Sequence, residues 1–453
     1  HVLFSGGNFI WFWSACTGGL MGDLTTNPSR SGAMLETIRE LKQGIASCLL
    51  RGQRQHDGIA ILHSRVSGHM DGVVKEMSTQ ANSEGAFQRL VEDLGMQYRY
   101  ISTKNIEEGV LSKGEFKMVL LPYTQIVTPK EVAAIEQFVK QGGTVMADLR
   151  AGTFSTDGKA LSTGVLDELF GITRTDPRAK TVRDTLTMTG LSDAPCALTG
   201  VQADASIAAK SAKPYGKVGE APVMLVNEAG KGKAILMNVG IGAYDFLLNR
   251  NELRSGREAF ARLFALAGVK SRFRVTAGGK DVPGVEMAVF KRDAVQYLTI
   301  EKRSFEYEKY PLQAEITLDG KCDVTDMRTC KSLGNVDRIP VKLEGLGCYV
   351  WSLLPYRVEA VEMNAPKSVK RGEDLKIDIR LKTSAAPATH VVRVEVTSPS
   401  GAHPFETRKL DTKDGKATCM LPIAFNDEIG AWKVQVTDVS SGVSCSLQYE
   451  VKP

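Results

Sequence analysis

Short apolar runs alternate with segments of helical spacing between about residues 55 and 270. The runs that predict strands buried on both faces are 58–64, 98–101, 116–122 and 144–152. Helical spacing predicts helices over 81–95 and 129–140, and a later strand and helix follow at 233–240 and 251–267. Strands that alternate with helices of this length predict a doubly wound, mostly parallel α/β sheet.

The first 50 residues contain one strand and one helix. The run NFIWFWSA at 8–15 predicts a strand buried on both faces, and a glycine-rich loop follows it. Leu35, Ile38, Leu41 and Ile45 then predict a helix that ends near residue 50. One such unit cannot bury both of its faces, so it docks on a partner or is the last piece of a larger barrel or sheet.

From residue 271 onward the pattern contains strands and turns only. Residues 271–357 predict a small antiparallel β domain, and 358–453 predict an immunoglobulin-like sandwich with Trp432 in its core. The fold prediction is α/β plus all-β: a flavodoxin-like, doubly wound domain preceded by a barrel remnant and followed by two β-sandwich domains. Its boundaries are 1–54, 55–270 with a β-rich insertion at about 174–232, 271–357 and 358–453.

Composition narrows the class of protein. The 453 residues are 43% apolar and 24% charged, which is ordinary for a globular chain of about three domains. A net charge of +5 leaves no surplus that would require nucleic acid, and no apolar stretch is long enough for a membrane span. Because the chain begins with His1, it is expected to be processed, truncated or cut from something larger.

The eight cysteines form no CxxC pair, which disfavours zinc ribbons and redox motifs. Two disulfides are conceivable, Cys322 with Cys330 and Cys419 with Cys445. The alternative is that all eight cysteines are buried small hydrophobic residues.

The residues at the strand ends exclude the chemistry of a glutamine amidotransferase. A class I glutamine amidotransferase, which shares the flavodoxin-like layout, needs a cysteine at a sharp strand-to-helix turn. The matching turns are LPYTQ at 121–125 and DLRAG at 148–152, and neither carries cysteine. No GxSxG sequence offers a serine instead.

Metal and nucleotide chemistry also lack support. His63 and His69 could belong to a site loop, HSRVSGHMD, or be ordinary loop histidines, and no HExxH spacing exists. GxGxxG and P-loop sequences do not occur. We therefore expect no metal and no cofactor.

Two tryptophans are the main candidates for sugar binding. Trp11 and Trp13 share one face of the first strand, where they either pack in a core or form a stacking platform at a barrel mouth. A glycosidase also needs two carboxyl groups roughly 5–10 Å apart. The opening segment offers only Asp23, Glu36 and Glu40, which do not form such a pair.

Taken in order, these segments resemble glycoside hydrolase family 42, the β-galactosidases. GGNFIWFWSA…NPS…ETIRELKQGI resembles the eighth strand and helix of the family's (β/α)₈ barrel. Four segments of the middle region resemble the family's trimerisation domain, in which an amidotransferase-like fold has lost its nucleophile. They are IAILHS, AFQRLVEDLGMQYRYIS, the run from FKMVLLPYTQ to TVMADLRAG, and LDELFGI. Residues 322–355 resemble its closing β domain, and the residues after them depart from the common family pattern.

The resemblance implies a retaining glycoside hydrolase that acts on a β-galactoside or a related carbohydrate. Both catalytic glutamates of the family lie on earlier barrel strands, the fourth and the seventh, which this sequence does not include. The chain alone is then inactive, and its catalytic residues are none. If Trp13 matches the family tryptophan on the eighth strand, Trp13, Ser14 and Trp11 are the substrate-binding residues. The Trp13–Ser14 bond is then a candidate cis peptide.

The same resemblance implies a homo-oligomer, a trimer, held by the middle domain. The immunoglobulin-like module and the cysteines favour an exported or periplasmic bacterial protein. Two other readings remain open. One is a non-catalytic carbohydrate-binding or assembly protein, which rows of exposed aromatic residues in the sandwich would favour. The aromatic candidates in the sandwich are Trp432 and Phe425, and both are expected in the core. The other reading is a hydrolase that uses His63 or Asp148.

Overall fold

A computed structural model describes residues 4, 36–74, 79–176, 181–191, 196–244, 253–282, 284–302, 310–345, 347–402 and 407–453. Most of the described regular structure is β-sheet, with few helices. No helix in these ranges is long and apolar enough to cross a bilayer.

The middle of the chain folds around one nine-stranded sheet. Its first five strands are parallel, in the spatial order Tyr98–Ser102, Ile59–His63, Met118–Leu121, Thr144–Ala147 and Gly232–Leu236. These strands confirm the predicted parallel pairing. The strand predicted over 144–152 ends earlier, at Ala147, because the chain turns at Asp148 and adopts a left-handed backbone at Arg150 (φ +53°).

Four antiparallel strands extend this sheet. They are, outward from the parallel part, Ala221–Ala229, Lys213–Val218, Val182–Met188 and Cys196–Ala203. Most of the segment 174–232, predicted as a β-rich insertion, thus continues the parallel sheet with antiparallel strands. A two-stranded sheet, Ile172–Arg174 with Ile207–Ala209, completes it.

Helices cover both faces of the parallel strands. The α-helices are Arg65–Val74, Gln80–Asp93, Thr103–Glu107, Pro129–Lys140 and Leu253–Leu266, and the 3₁₀ turns are Val110–Lys113 and Ile241–Ala243. The predicted start of the fourth helix is confirmed, because the Thr128 hydroxyl accepts the Glu131 N–H and the Glu131 carboxylate accepts the Thr128 N–H at 2.8 Å.

Two apolar cores result, one on each face of the sheet. Ile59 and Ile61 point into the core that holds Phe87, whereas Ala60 and Leu62 point into the core that holds Ile135. Successive strand residues face opposite sides, so a parallel strand covered on both faces must be apolar throughout. This explains why the sequence showed continuous apolar runs there.

An eight-stranded sheet forms the small β domain. Its path runs through Gln53–Arg54, Val285–Arg292, Val295–Lys302, Cys348–Leu354, Leu312–Asp326, Arg274–Ala277 and Lys280–Asp281, with Lys331–Leu343 paired to Leu312–Asp326. The first of these strands precedes the middle domain in the chain, whereas the others follow it. The chain therefore passes between the two domains at both ends of the middle domain. Cys322 lies opposite Val336, and both Cys322 and Cys330 are free.

The last part of the chain packs two sheets around one core. One sheet contains Val358–Asn364, Asp374–Thr383 and Lys416–Pro422; the other contains Ser368–Lys370, Ser444–Lys452, Gly430–Asp438, Val391–Ser398, Gly401–Ala402 and Arg408–Asp411. Trp432 is 1% exposed in the shared core, as predicted. Cys419 and Cys445 lie in different sheets and are not bonded to each other, so neither conceivable disulfide forms.

The predicted first helix is confirmed over the described residues. It comprises an α-helical turn over 36–40, a π-helical segment Leu41–Ile45 and the α-helix Ala46–Arg51. Gly44 interrupts the regular spiral with a φ of +127°, and a Cβ atom at this position would lie 2.5 Å from Val439. The helix therefore approaches the last domain at the one point where it lacks a side chain.

Candidate functional site

The carboxyl edge of the parallel strands is the expected place for a site in a doubly wound sheet, because the connecting loops converge there. The turn after Met118–Leu121 places Tyr123 in a left-handed backbone conformation (φ +35°), with its side chain 1% exposed. The turn after Thr144–Ala147 contains Asp148 and Arg150. These are the two turns in which the sequence lacked a cysteine, and a buried phenol and a buried guanidinium occupy their strained positions.

Asp148 joins the two turns. Its Oδ1 accepts the Tyr123 N–H at 2.7 Å, while its Oδ2 has no hydrogen-bond partner. Complete burial raises the pKa of Asp148 to about 6, and its interaction with Ser83 and with backbone N–H groups offsets part of this effect. The carboxyl group thus holds the elbow at Tyr123 and has no path to solvent through which it could act on a substrate.

Paired charges fill the space next to Asp148. The Arg174 guanidinium binds Asp167 through Nε and Nη2, at 3.3 and 3.2 Å, and donates from Nη1 to Asp204 at 2.6 Å. Arg150 approaches Asp204 at 3.5 Å, and all four side chains are at most 2% exposed. The arrangement holds the loops over the sheet edge and pairs these buried charges with one another.

The two histidines near this edge do not form a site loop. The segment predicted as a loop contains the helix Arg65–Val74, which carries His69, so the loop prediction is wrong. His63 ends its strand, is half exposed, and pairs its Nδ1 with Glu84 at 2.8 Å. Among the described residues, no group of histidine, cysteine or carboxylate side chains could hold a metal ion.

The predicted sugar-binding residues Trp11, Trp13 and Ser14 lie outside the described residues, and so does the candidate cis peptide Trp13–Ser14. The described helix that follows them is well anchored. Arg328 pairs with Glu40, and Arg51 with Asp411 of the last domain.

Apolar contacts fix the same helix between the two β domains. Ile45, Cys48 and Leu49 share one buried cluster with Tyr297 of the small β domain and Val439 of the last domain. Burial raises the pKa of the Cys48 thiol to about 12, which identifies it as a packing residue. The described helix is thus packed against both β domains.

One aromatic residue of the last domain differs from expectation. Phe425, expected in the core, is 82% exposed and lies over the turn at Gly372. The error arises because a single aromatic residue in a loop has no periodicity that would show which way it points. One exposed phenylalanine does not make the row of aromatic residues that would favour sugar binding.

Comparison with known proteins follows the same division of the chain. Residues 94–253 match the sequence model described as the β-galactosidase trimerisation domain, which takes in all of the nine-stranded sheet except Ile59–His63. A catalytic mutant of the family 42 β-galactosidase of G. stearothermophilus superposes with a TM-score of 0.54, at 16% identity over 73% of this chain and 45% of the other. The resemblance to the family 42 β-galactosidases is confirmed.

Two more β-galactosidases have a similar fold. The β-galactosidase of Bacillus circulans sp. alkalophilus superposes with a TM-score of 0.51 at 18% identity, over 70% of this chain and 44% of its own. The cold-adapted β-galactosidase of Rahnella sp. R3 gives 0.52 at 14% identity, over 71% and 44%. The chain spans less than half the length of these structures. A search among curated proteins finds no match.

Proposed function

We propose that this chain is the C-terminal region of a retaining glycoside hydrolase similar to the family 42 β-galactosidases. In this proposal it supplies the oligomerisation and accessory domains and one wall of the sugar site. The catalytic glutamates lie on barrel strands that the chain does not include, so the chain alone does not hydrolyse glycosides.

The observation that carries the proposal is the match of residues 94–253 to a trimerisation domain. In the turn after the strand Met118–Leu121, where an amidotransferase would need its cysteine, the left-handed position is occupied by Tyr123. The order of the parallel strands, with the second strand outermost and the first beside it, supports a flavodoxin-like domain. Because the buried carboxyl and guanidinium groups of this edge contact one another, the domain is better suited to assembly than to catalysis.

The contacts of the helix that ends at Arg51 support the proposed link to a barrel. A strand and helix that close a barrel need a fixed relation to the domains that follow them. The ion pairs of Glu40 and Arg51 and the buried Cys48 provide that relation on two sides of the helix. In this proposal Trp13, with Trp11 and Ser14, contributes to the sugar subsite beside the cleaved bond, and a β-galactoside or related carbohydrate is the substrate.

Light scattering on the purified chain tests the assembly part of the proposal. We expect three times the mass of one chain, because the middle domain associates by cyclic symmetry. Val66 and Val73, seven residues apart on the helix Arg65–Val74, are 40% and 72% exposed and are the first positions to alter. Val73→Lys should weaken the trimer, whereas Met420→Lys, at a half-exposed position of the last domain, should not.

The coding sequence upstream of the His1 codon tests the catalytic part. Seven more strand–helix units, with glutamates ending the fourth and seventh strands, would support it, and the intact protein should then cleave β-galactosides. A strict monomer together with a start codon close to His1 would contradict the whole proposal.

A further inference from the structure

The middle domain and the small β domain meet along a closely fitted interface. The Gly284 N–H donates to Asp93 Oδ1 at 2.8 Å, and the Val289 N–H donates to Gln97 Oε1 at 2.9 Å. The Ser271 hydroxyl donates to the Gly95 carbonyl at 2.9 Å. The loop that ends the helix Gln80–Asp93 is therefore hydrogen-bonded to the strand Val285–Arg292 and to the chain before it.

Two glutamates are buried in this interface, one from each domain. Glu92, in the last turn of the helix, is 4% exposed, and Glu286, on the facing strand, is 3% exposed. Glu92 Oε1 accepts hydrogen bonds from Gln88 Nε2 at 2.9 Å and from the Tyr98 hydroxyl at 3.0 Å. Glu286 lies directly opposite Glu301 in the antiparallel sheet. Acidic groups thus meet where the domains join.

Two arginines and two tyrosines face the same carboxyl groups. Arg89 lies on the helix of Glu92, and Arg54 lies on the strand that pairs with Val285–Arg292. The Arg54 guanidinium sits over the Tyr98 ring, 5.2 Å from its centre, and donates to the Tyr98 carbonyl at 3.0 Å. Tyr100 stacks edge-on against Tyr98 at 5.4 Å. The arginines offset part of the acidic charge, and the tyrosines close the interface to water.

Burial raises the pKa of Glu92 to about 8, and the charge of Glu286 adds to the effect, while Gln88, Tyr98 and Arg89 oppose it. Burial and the charge of Glu301 likewise raise the pKa of Glu286, opposed by Arg54 and Arg89. Two buried carboxylates in one interface repel each other, and protonation of one removes the repulsion.

We propose that Glu92 and Glu286 form a proton-dependent clasp between the two domains, closed when one proton resides on the pair and loosened when both groups are ionised. The clasp would couple the position of the small β domain to pH, whatever the rest of the protein does. It rests on the interface alone and does not depend on the proposed glycosidase function.

The direction of the effect follows from proton linkage. A carboxyl group whose pKa is higher in the folded than in the unfolded state binds more protons when folded, so stability falls as pH rises between the two values. For Glu92 this window runs from its ordinary value of 4.5 to about 8. Asp148 has the same effect on stability only up to about pH 6. A comparison of pH 7 with pH 8.5 therefore separates the contribution of Glu92 from that of Asp148.

Glu92→Gln tests the clasp, because glutamine keeps the acceptor for Tyr98 and cannot ionise. We expect the unfolding temperature of the full chain to fall by about 4 °C between pH 7 and 8.5, and the fall to disappear in the variant. Glu136→Gln, which removes an exposed carboxylate on the helix Pro129–Lys140, should keep the fall.

Hydrogen exchange locates the effect. At pH 8.5 the amides of Gly284 and Val289 should exchange at least 10-fold more slowly in Glu92→Gln than in the wild type, while Lys140 and its neighbours are unchanged. Glu286→Gln, made as a second variant in case the first does not fold, should act in the same way. An unaltered pH dependence in either folded variant would overturn the proposal, and so would equal exchange at both amides.

Discussion

Two kinds of buried acid lie within a short distance along the same sheet edge, and they are stabilised differently. Asp167 and Asp204 share the Arg174 guanidinium, with donor–acceptor distances of 2.6–3.3 Å. Asp148, which follows the parallel strand Thr144–Ala147, accepts the Tyr123 N–H at Oδ1 and has only Ser83 and backbone N–H groups, with no guanidinium, to offset its burial. Burial raises the pKa of Asp148 to about 6. Glu92, in the interface with the small β domain, is another buried acid whose pKa is raised by burial.

The difference lies in how the lost hydration of each buried carboxyl group is compensated. A guanidinium held in bidentate geometry compensates the lost hydration of a carboxylate, and backbone N–H groups do so only in part. Paired acids therefore bind loops together, whereas an acid without a cation becomes a site at which the protein takes up a proton. Three substitutions would break or sharpen this contrast.

Arg174→Met should have the largest effect. It leaves Asp167 and Asp204 buried without their cation, and we expect a loss of about 3–5 kcal/mol in the stability of the middle domain. Urea unfolding followed by circular dichroism measures this loss. The triple variant Arg174→Met, Asp167→Leu, Asp204→Leu removes the charges together and should recover much of the stability. If the single variant is as stable as the wild type, the pairing does not hold the loops.

Asp148→Asn should have a smaller effect of opposite sign. The pKa of Asp148 is raised on folding, so the ionised carboxylate destabilises the folded chain. This destabilisation is absent well below pH 4 and is complete above about pH 6. Asparagine keeps the acceptor for the Tyr123 N–H, and we expect a gain of about 1–3 kcal/mol at pH 7.5 with a flatter profile between pH 4 and 6. Urea midpoints across this range measure it. Asp167→Asn is the matched control and should destabilise.

Asp411→Asn should have the smallest effect. Arg292 and Arg51 bind Asp411 and lower its pKa, so its contribution is present at neutral pH and is lost as the pH falls through that lowered value. Because the carboxylate is 39% exposed, solvent screening limits the loss to about 1 kcal/mol. Thermal unfolding at low salt and at about 1 M salt should show the difference only at low salt. A loss of stability that persists at high salt would contradict this prediction, because it would show that salt does not screen the ion pairs of Asp411.

Local patterns predicted most of the elements. The helix capped by Thr128 and the parallel strands appear close to their predicted positions, and alternation in LKIDIRL placed Leu375, Ile377, Ile379 and Leu381 in the core of the last domain. Two local predictions failed, the loop at His69 and the burial of Phe425. In both, the segment was too short or too irregular for its periodicity to indicate a helix or a direction.

The sequence by itself determined the periodicities, the caps, the absence of a cysteine at either strand-end turn and the order of segments that resembles family 42. Only the tertiary structure decided that the strands of 182–229 extend the parallel sheet, that Arg174 binds Asp204 across 30 residues, and that Glu92 and Glu286 are buried in one interface between two domains. The physical reason is range: a helix or strand pattern reports neighbours within about four positions. Ion pairs and shared protons depend on which distant strands lie side by side.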